Sequence, residues 1–164
     1  MSWNPRTELM LTAKKYVGVH EEGGDNKGLM VERFQKAVDG VASGEAWCCA
    51  FLQFCIKEVE AKLNIKSPIF KSESVWEMYH QSNASCRVSH GIQGFVICWS
   101  VPPGTKKGHT GIIIDTTPDN RFLTIEGNTN EAGSREVDGV YQKSRSLTGS
   151  DTFKVLGFLD PWCL

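Results

Sequence analysis

The sequence has no long hydrophobic run, no excess of charge of either sign, and no low-complexity or Pro/Gly/Ser-rich linker. No stretch approaches the roughly 20 apolar residues that span a bilayer. Eighteen basic and nineteen acidic residues give a formal net charge of -1, which argues against the basic surface of a nucleic-acid-binding domain. The N-terminus lacks the apolar segment of a secretory signal peptide. We therefore predict a monomer made in the cytoplasm that neither inserts stably into a membrane nor binds nucleic acid.

Metal sites and a disulfide framework are not indicated by the six cysteines and four histidines. There is no Cys-x-x-Cys pair, and no histidine pair has the helical spacing of a zinc-protease motif. The acidic residues near Asp39 lack the dense alternation of a calcium loop. The adjacent pair Cys48-Cys49 predicts mostly free thiols. We expect neither a metal nor a cofactor.

Helical periodicity dominates the first half of the chain. The spacing predicts helices over about residues 7–16, 29–38, 48–63 and 74–80. The third helix is apolar around most of its circumference and has one narrow polar stripe, formed by Gln53, Lys57 and Glu60. That pattern is typical of a central, buried helix.

The second half of the chain is rich in short β-forming runs separated by turn residues. Strands are predicted over residues 95–99, 110–114, 122–125 and 155–159. Helices first and strands afterwards indicate an α+β fold, with the N-terminal helices packed on an antiparallel sheet. The length of 164 residues predicts one domain over residues 1–164.

Cys48 is the candidate nucleophile. A cysteine hydrolase needs a thiolate, a histidine beside it and a third group that orients the histidine. Cys48 begins the central helix, where the helix dipole and free amides stabilise a thiolate. Helical spacing puts Cys48 with Leu52 and Cys55 on the face expected against the sheet, whereas Cys49 falls on the polar stripe. The spacing favours Cys48, the alternative being that both cysteines are small buried core residues.

His109 is the candidate base, because two polar residues of the next strand share its expected face. If Thr116 opposes Arg121 across the connecting turn, His109 opposes Asn128 and has Glu126 as its diagonal neighbour. A register different by two residues would place Glu126 directly opposite. Either way the histidine meets one carboxylate and one amide. Each of the three could singly be a strand-end or turn residue, but that interpretation does not predict all three on one face.

Three motifs together resemble those of the cysteine, histidine-dependent amidohydrolase/peptidase (CHAP) family. Residues 44–51, Gly-Glu-Ala-Trp-Cys-Cys-Ala-Phe, resemble its nucleophile motif, and residues 108–112, Gly-His-Thr-Gly-Ile, resemble its histidine motif. Residues 124–129, Thr-Ile-Glu-Gly-Asn-Thr, resemble its third motif. Residues 16–24 and 138–141 also resemble family segments, so the resemblance covers nearly the whole chain in the family's order.

Three departures accompany this resemblance. Cys49 stands where family members usually have alanine or a similar small residue. The strand before the histidine begins Gly94-Phe95, where the family usually has Gly-Asp. The calcium-loop acids of some members are also missing.

The resemblance implies a papain-like hydrolase in which Cys48 attacks, His109 transfers protons, Glu126 orients the histidine and Asn128 is its polar companion. The implied substrate is the peptide part of peptidoglycan, cut either at the N-acetylmuramoyl-L-alanine amide or within the peptide. Such enzymes are phage endolysins and bacterial cell-wall hydrolases, and the compact chain favours a bacteriolytic endolysin that reaches the wall by holin-type or other assisted release. Two alternatives are a cysteine hydrolase or effector acting on another amide and an inactive wall-binding module.

Overall fold

The computed structural model describes residues 3–129 and 139–163 and shows an α+β fold, with helices followed by an antiparallel sheet of six strands. The helices are α1 (Pro5–Tyr16), α2 (Leu29–Asp39), α3 (Cys48–Leu63) and α4 (Val75–Gln81), with a short 3-10 turn at Ala84–Cys86. The strands are β1 (Arg87–Val88), β2 (Val96–Ser100), β3 (Gly108–Thr116), β4 (Arg121–Thr129), β5 (Gly139–Ser146) and β6 (Lys154–Leu159).

All four predicted helices are present, and their ends follow local capping chemistry. The Asn4 side chain accepts a hydrogen bond from the Arg6 N–H at 2.9 Å and begins α1. Gly40, with a φ of 81°, ends α2 in the left-handed conformation. Ser74 caps α4 through the Glu77 N–H at 3.2 Å.

Two residues of the polar stripe of α3, Gln53 and Glu60, are buried beneath the chain that follows the helix, whereas Lys57 is exposed. Gln53 Nε2 donates to the Phe70 carbonyl at 3.1 Å, and Glu60 Oε1 accepts from the Ser67 N–H at 2.8 Å. Because the sheet packs on the other side, α3 is enclosed over most of its length, as its composition predicts.

The sheet has the order β1-β6-β2-β3-β4-β5, and neighbouring strands are antiparallel. All four predicted strands are present, as β2, β3, β4 and β6, whereas β1 and β5 are not predicted from the sequence. At the β3–β4 turn the structure pairs Thr116 with Phe122 and not with Arg121. A register shift between Ile113 and Asp115 then restores the predicted alignment toward the other end of the hairpin.

Apolar side chains cover both faces of the sheet. The helical face holds the larger core, to which all four helices contribute buried residues. The opposite face carries a second cluster that includes Trp99, Ile113 and Phe122. Within residues 3–129 and 139–163, no helix is long and apolar enough to cross a membrane.

Four cysteines are free thiols and two form a disulfide. Cys48, Cys49, Cys55 and Cys98 are free and buried. Cys86 and Cys163 form a disulfide with Cα atoms 5.0 Å apart. The expectation of mostly free thiols therefore holds, with the exception of this pair, which ties the C-terminal segment to the chain before β1.

Candidate active site

The residue before Cys48 anchors the start of α3. The Trp47 ring is fully buried, stacks on Phe34 at a centroid distance of 5.6 Å and donates its indole N–H to Glu21 Oε1 at 2.9 Å. These contacts fix the point at which the chain turns into the helix. The thiol of Cys48 is consequently held in one place relative to the sheet.

A buried glutamine of α2 holds the loop that precedes Trp47. Gln35 Nε2 donates to the carbonyl oxygens of Glu45 at 2.8 Å and Asn26 at 3.1 Å. Asn26 Nδ2 in turn donates to the Gly44 carbonyl at 3.1 Å, and Gly44 has a φ of 77° that favours glycine. Nothing in the local sequence pattern points to Gln35, because its partners become visible only in the folded chain.

Among the free thiols, Cys48 is the one with residual solvent access. Its relative exposure is 7%, whereas Cys49, Cys55 and Cys98 are at 0%. Burial raises the pKa values of Cys49 and Cys55 well above the usual range and that of Cys98 to about 12. The Cys49 thiol donates to the Ser72 carbonyl at 3.1 Å, away from the sheet. These three buried thiols are therefore poor nucleophiles.

Strand β3 brings His109 to Cys48 at the N-terminus of α3. The Cys48 Sγ lies 3.9 Å from the Gly108 carbonyl, directly beside the histidine. His109 Nε2 is 2.6 Å from Glu126 Oε1. Because an ionised carboxylate only accepts hydrogen bonds, Nε2 carries a proton and Nδ1 is the nitrogen left for Cys48. The diagonal relation expected for His109 and Glu126 agrees with this hydrogen bond.

The buried histidine and carboxylate stabilise each other's charged forms. Burial alone would lower the pKa of His109, but hydrogen bonds with Cys48 and Glu126 and the charge of Glu126 raise it to about 9. Burial alone would raise the pKa of Glu126, but hydrogen bonds from Arg145 and His109 and their charges lower it to about 2. At neutral pH the pair is therefore an imidazolium and a carboxylate.

Two glycines of the histidine motif make room for this arrangement. A Cβ on Gly111 would lie 2.7 Å from Glu126 Cγ, so the carboxylate side chain occupies the space beside that glycine. A Cβ on Gly108 would lie 2.7 Å from Val75 Cβ of α4. In the motif Gly-His-Thr-Gly, close packing thus leaves no room for a side chain at either glycine position.

Comparisons with protein-family models, with curated proteins and with solved structures find no match for this chain. Interpretation of the site rests on its own geometry and on its sequence motifs. Within the part of the chain that the structure describes, no three His, Cys, Asp or Glu side chains are grouped so that they could hold a metal ion.

Asn128 occupies a bulge in β4. Its φ of 53° is in the left-handed region, which asparagine tolerates better than most residues, and the β4–β5 register shifts between Glu126 and Thr129. Its Oδ1 is buried and has no hydrogen-bond partner among the described residues. The structure therefore unites Cys48, His109 and Glu126, while it leaves Asn128 without a described hydrogen bond to the histidine.

Arg145 of β5 is a charged neighbour that the sequence pattern does not reveal. Its Nε donates to Glu126 Oε2 at 2.9 Å, and its terminal NH2 donates to Oε1 at 2.6 Å. Thr124 Oγ1 donates to Oε2 at 2.5 Å. Buried carboxylates are normally paired with a cation. If Glu126 is expected to be buried, this rule is the one reason in the sequence to look for an arginine. Its position in the chain could not be read without strand β5.

Proposed function

We propose that this chain is a papain-like cysteine amidohydrolase of the CHAP type that hydrolyses an amide bond in the peptide part of peptidoglycan. The observation that supports it most is the contact chain from the Cys48 thiol through His109 to Glu126, built at the start of a central helix and on the adjoining strands. The peptidoglycan substrate comes from the motif resemblance. So does the proposed setting, a phage endolysin or bacterial cell-wall hydrolase that reaches the wall by assisted release.

The geometry supports a two-step reaction through a thioester. The Cys48 thiolate attacks the amide carbon while the His109 imidazolium donates its proton to the departing amine. His109, now neutral, then takes a proton from water as the water attacks the thioester, which releases the acid and restores the Cys48 thiolate beside the His109 imidazolium. Backbone N–H groups in the first turn of α3 lack intrahelical acceptors and are suited to hold the oxyanion.

Glu126 holds the imidazole through both steps. Its carboxylate is fully buried and accepts from Nε2, which keeps Nδ1 toward the sulfur and stabilises the imidazolium. An inactive wall-binding module would have no need of this buried charged pair beside a thiol at a helix N-terminus.

Digestion of purified sacculi, with mass spectrometry of the soluble products, tests this proposal. We expect stem-peptide fragments with a new terminus at one amide bond, none with Cys48→Ala, and near wild-type amounts with the matched control Cys49→Ala. No release by the folded wild-type chain would contradict the wall substrate. An inactive Cys49→Ala with an active Cys48→Ala would reverse the choice of nucleophile.

A further inference from the structure

Arg145 has an unusually complete set of contacts for a side chain on an edge strand. It is paired in register with Phe122, yet its guanidinium extends along the sheet to Glu126. Two donors on one planar group bind the two carboxylate oxygens, a geometry that fixes the direction as well as the position of the partner.

Two aromatic rings also contact the guanidinium. Its carbon lies 4.5 Å from the Phe153 ring centroid and 5.4 Å from that of Trp99. The same two rings contact His109, since Trp99 stacks on the imidazole at 5.8 Å and Phe153 meets it edge-on at 5.8 Å. Arginine and histidine are thus packed in one aromatic enclosure and joined through Glu126.

We propose that Arg145 is a positioning residue for the catalytic pair, which it serves by holding the Glu126 carboxylate ionised and correctly oriented against His109. This inference rests on the proposed cysteine-hydrolase function of the same site. Arg145 has no described contact with the thiol, so its effect passes through Glu126.

The charged and titratable groups around Glu126 come from three strands. His109 faces it from β3, and Arg145, Tyr141 and Lys143 lie on the same face of β5. On β4 itself, Thr124 supplies a hydroxyl donor. Arg145 and His109 both form ion pairs with the carboxylate, and of these two only Arg145 keeps its charge throughout the working pH range.

The test compares Arg145→Met with Arg121→Met, a matched control. Arg121 lines the same pocket of about 190 Å³ but donates to Ser144 and not to Glu126. The first readout needs no substrate: the rate at which iodoacetamide alkylates Cys48, followed by mass spectrometry across the acid and neutral range. The second is kcat and KM on sacculus fragments.

The acid edge of the profile is the pH below which alkylation of Cys48 slows. We expect Arg145→Met to move this acid edge upward by about 1–3 pH units, because Glu126 then takes up a proton within the pH range of the experiment. kcat should fall while KM stays within about twofold. Arg121→Met should match the wild type in both readouts. Arg145→Lys keeps the charge but loses the paired hydrogen bonds, so its shift should be smaller, and it decides the question if Arg145→Met does not fold.

A double-mutant cycle separates this role from a purely structural or substrate-binding one. In a Glu126→Gln background, Arg145→Met should leave the acid edge unchanged, because the group it acts on no longer titrates. An equal effect in both backgrounds, or a wild-type pH profile for Arg145→Met and Arg145→Lys, would overturn the inference. Failure of the wild type on sacculi, together with the expected alkylation shifts, would reject the wall substrate and leave the role of Arg145 standing.

Discussion

At the scale of single residues, burial and charge act on His109 in opposite directions, and charge prevails. Its pKa is raised from 6.5 to about 9 by contacts with Cys48 and Glu126. Since the folded-state value lies above the ordinary one, the stabilisation of the imidazolium is fully present below about pH 6.5 and is lost as pH rises through 9. The proton donor of the first step is therefore available throughout the neutral range.

We accordingly predict that kcat/KM stays level through neutral pH and falls above about pH 9. Glu126→Gln removes the negative charge that supports the imidazolium, so the alkaline fall should begin at lower pH. Initial rates on sacculus fragments over a pH series measure both profiles. If kcat/KM of the wild type instead begins to fall near the ordinary imidazole pKa of about 6.5, the Glu126 contact does not control the pKa of His109 in solution.

The residues near the histidine should differ in importance for turnover. Glu126→Gln should lower kcat less than Cys48→Ala does, because nucleophile and base act as a unit whereas an orienting group is partly replaceable. In serine-protease triads the kcat loss on removing the orienting acid is smaller than the loss on removing the nucleophile by a factor of roughly tens. Glutamine is the better choice at this position, since its amide oxygen can still accept a hydrogen bond from Arg145, whereas alanine offers no acceptor. Asn128→Gly should matter least, because glycine tolerates the left-handed φ of 53°.

Steady-state rates with circular dichroism as the folding control decide this order. An Asn128→Gly variant that is folded and as inactive as Cys48→Ala would make Asn128, and not Glu126, the principal orienting residue.

At the scale of secondary structure, the approach of α3 to β4 sets the distance between nucleophile and base. Gly127 is the point of contact, because a Cβ there would lie 2.7 Å from Phe51 Cβ. The helix can pack this closely only while position 127 has no side chain. The nucleophile is carried by the helix and the base by the neighbouring strand, so any displacement of α3 changes their separation.

Gly127→Ala should therefore lower both stability, by about 1–3 kcal/mol, and kcat. Gly91→Ala is the matched control, because its Cβ would lie 2.5 Å from Ile113 Cδ1 on the opposite face of the sheet. It should lose stability without a comparable loss of kcat. Urea denaturation and steady-state rates measure the two effects, and equal kcat values for the two variants would contradict the proposed dependence on α3.

The elements of the first half were predictable from the sequence, whereas two strands of the second half were not. Helix α2 carries a strong 3.6-residue pattern and ends at Gly40, and α3 is marked by an apolar composition broken only by a narrow polar stripe. Strand β5, Gly139–Ser146, is dominated by polar residues after Val140 and has no apolar run to mark it. It exists because β4 offers it a paired edge, which is a tertiary cause that local pattern does not contain.

At the scale of the whole molecule, three distant segments of the chain converge on one site. Cys48, His109 and Glu126 could be selected as candidates from the sequence because each lies in a motif with a definable place on a helix or strand. Gln35 and Arg145 could not, because their partners are fixed only by helix packing and by the register of β5. The predicted register of the β3–β4 hairpin was wrong by one residue at the turn. Beyond the register shift between Ile113 and Asp115, toward the site, the observed pairs match the predicted register.

The chemistry assigned to these segments uses only side chains of the protein. We therefore predict that hydrolysis of sacculi survives a chelator such as EDTA, since the thiol, imidazolium and carboxylate supply the nucleophile and the proton transfers. Rates with and without chelator, before and after dialysis, measure this. A complete loss of activity in the presence of chelator, restored by added calcium or zinc, would reveal a metal requirement.

The most direct measurement is the turnover of a folded His109→Ala variant on sacculi, beside wild type and Cys48→Ala. In the proposed mechanism His109 moves the proton in both steps, and its Nε2 lies 2.6 Å from Glu126 Oε1. We predict that His109→Ala loses nearly as much activity as Cys48→Ala while its circular dichroism spectrum stays native. A folded His109→Ala enzyme with near wild-type turnover would contradict the mechanism.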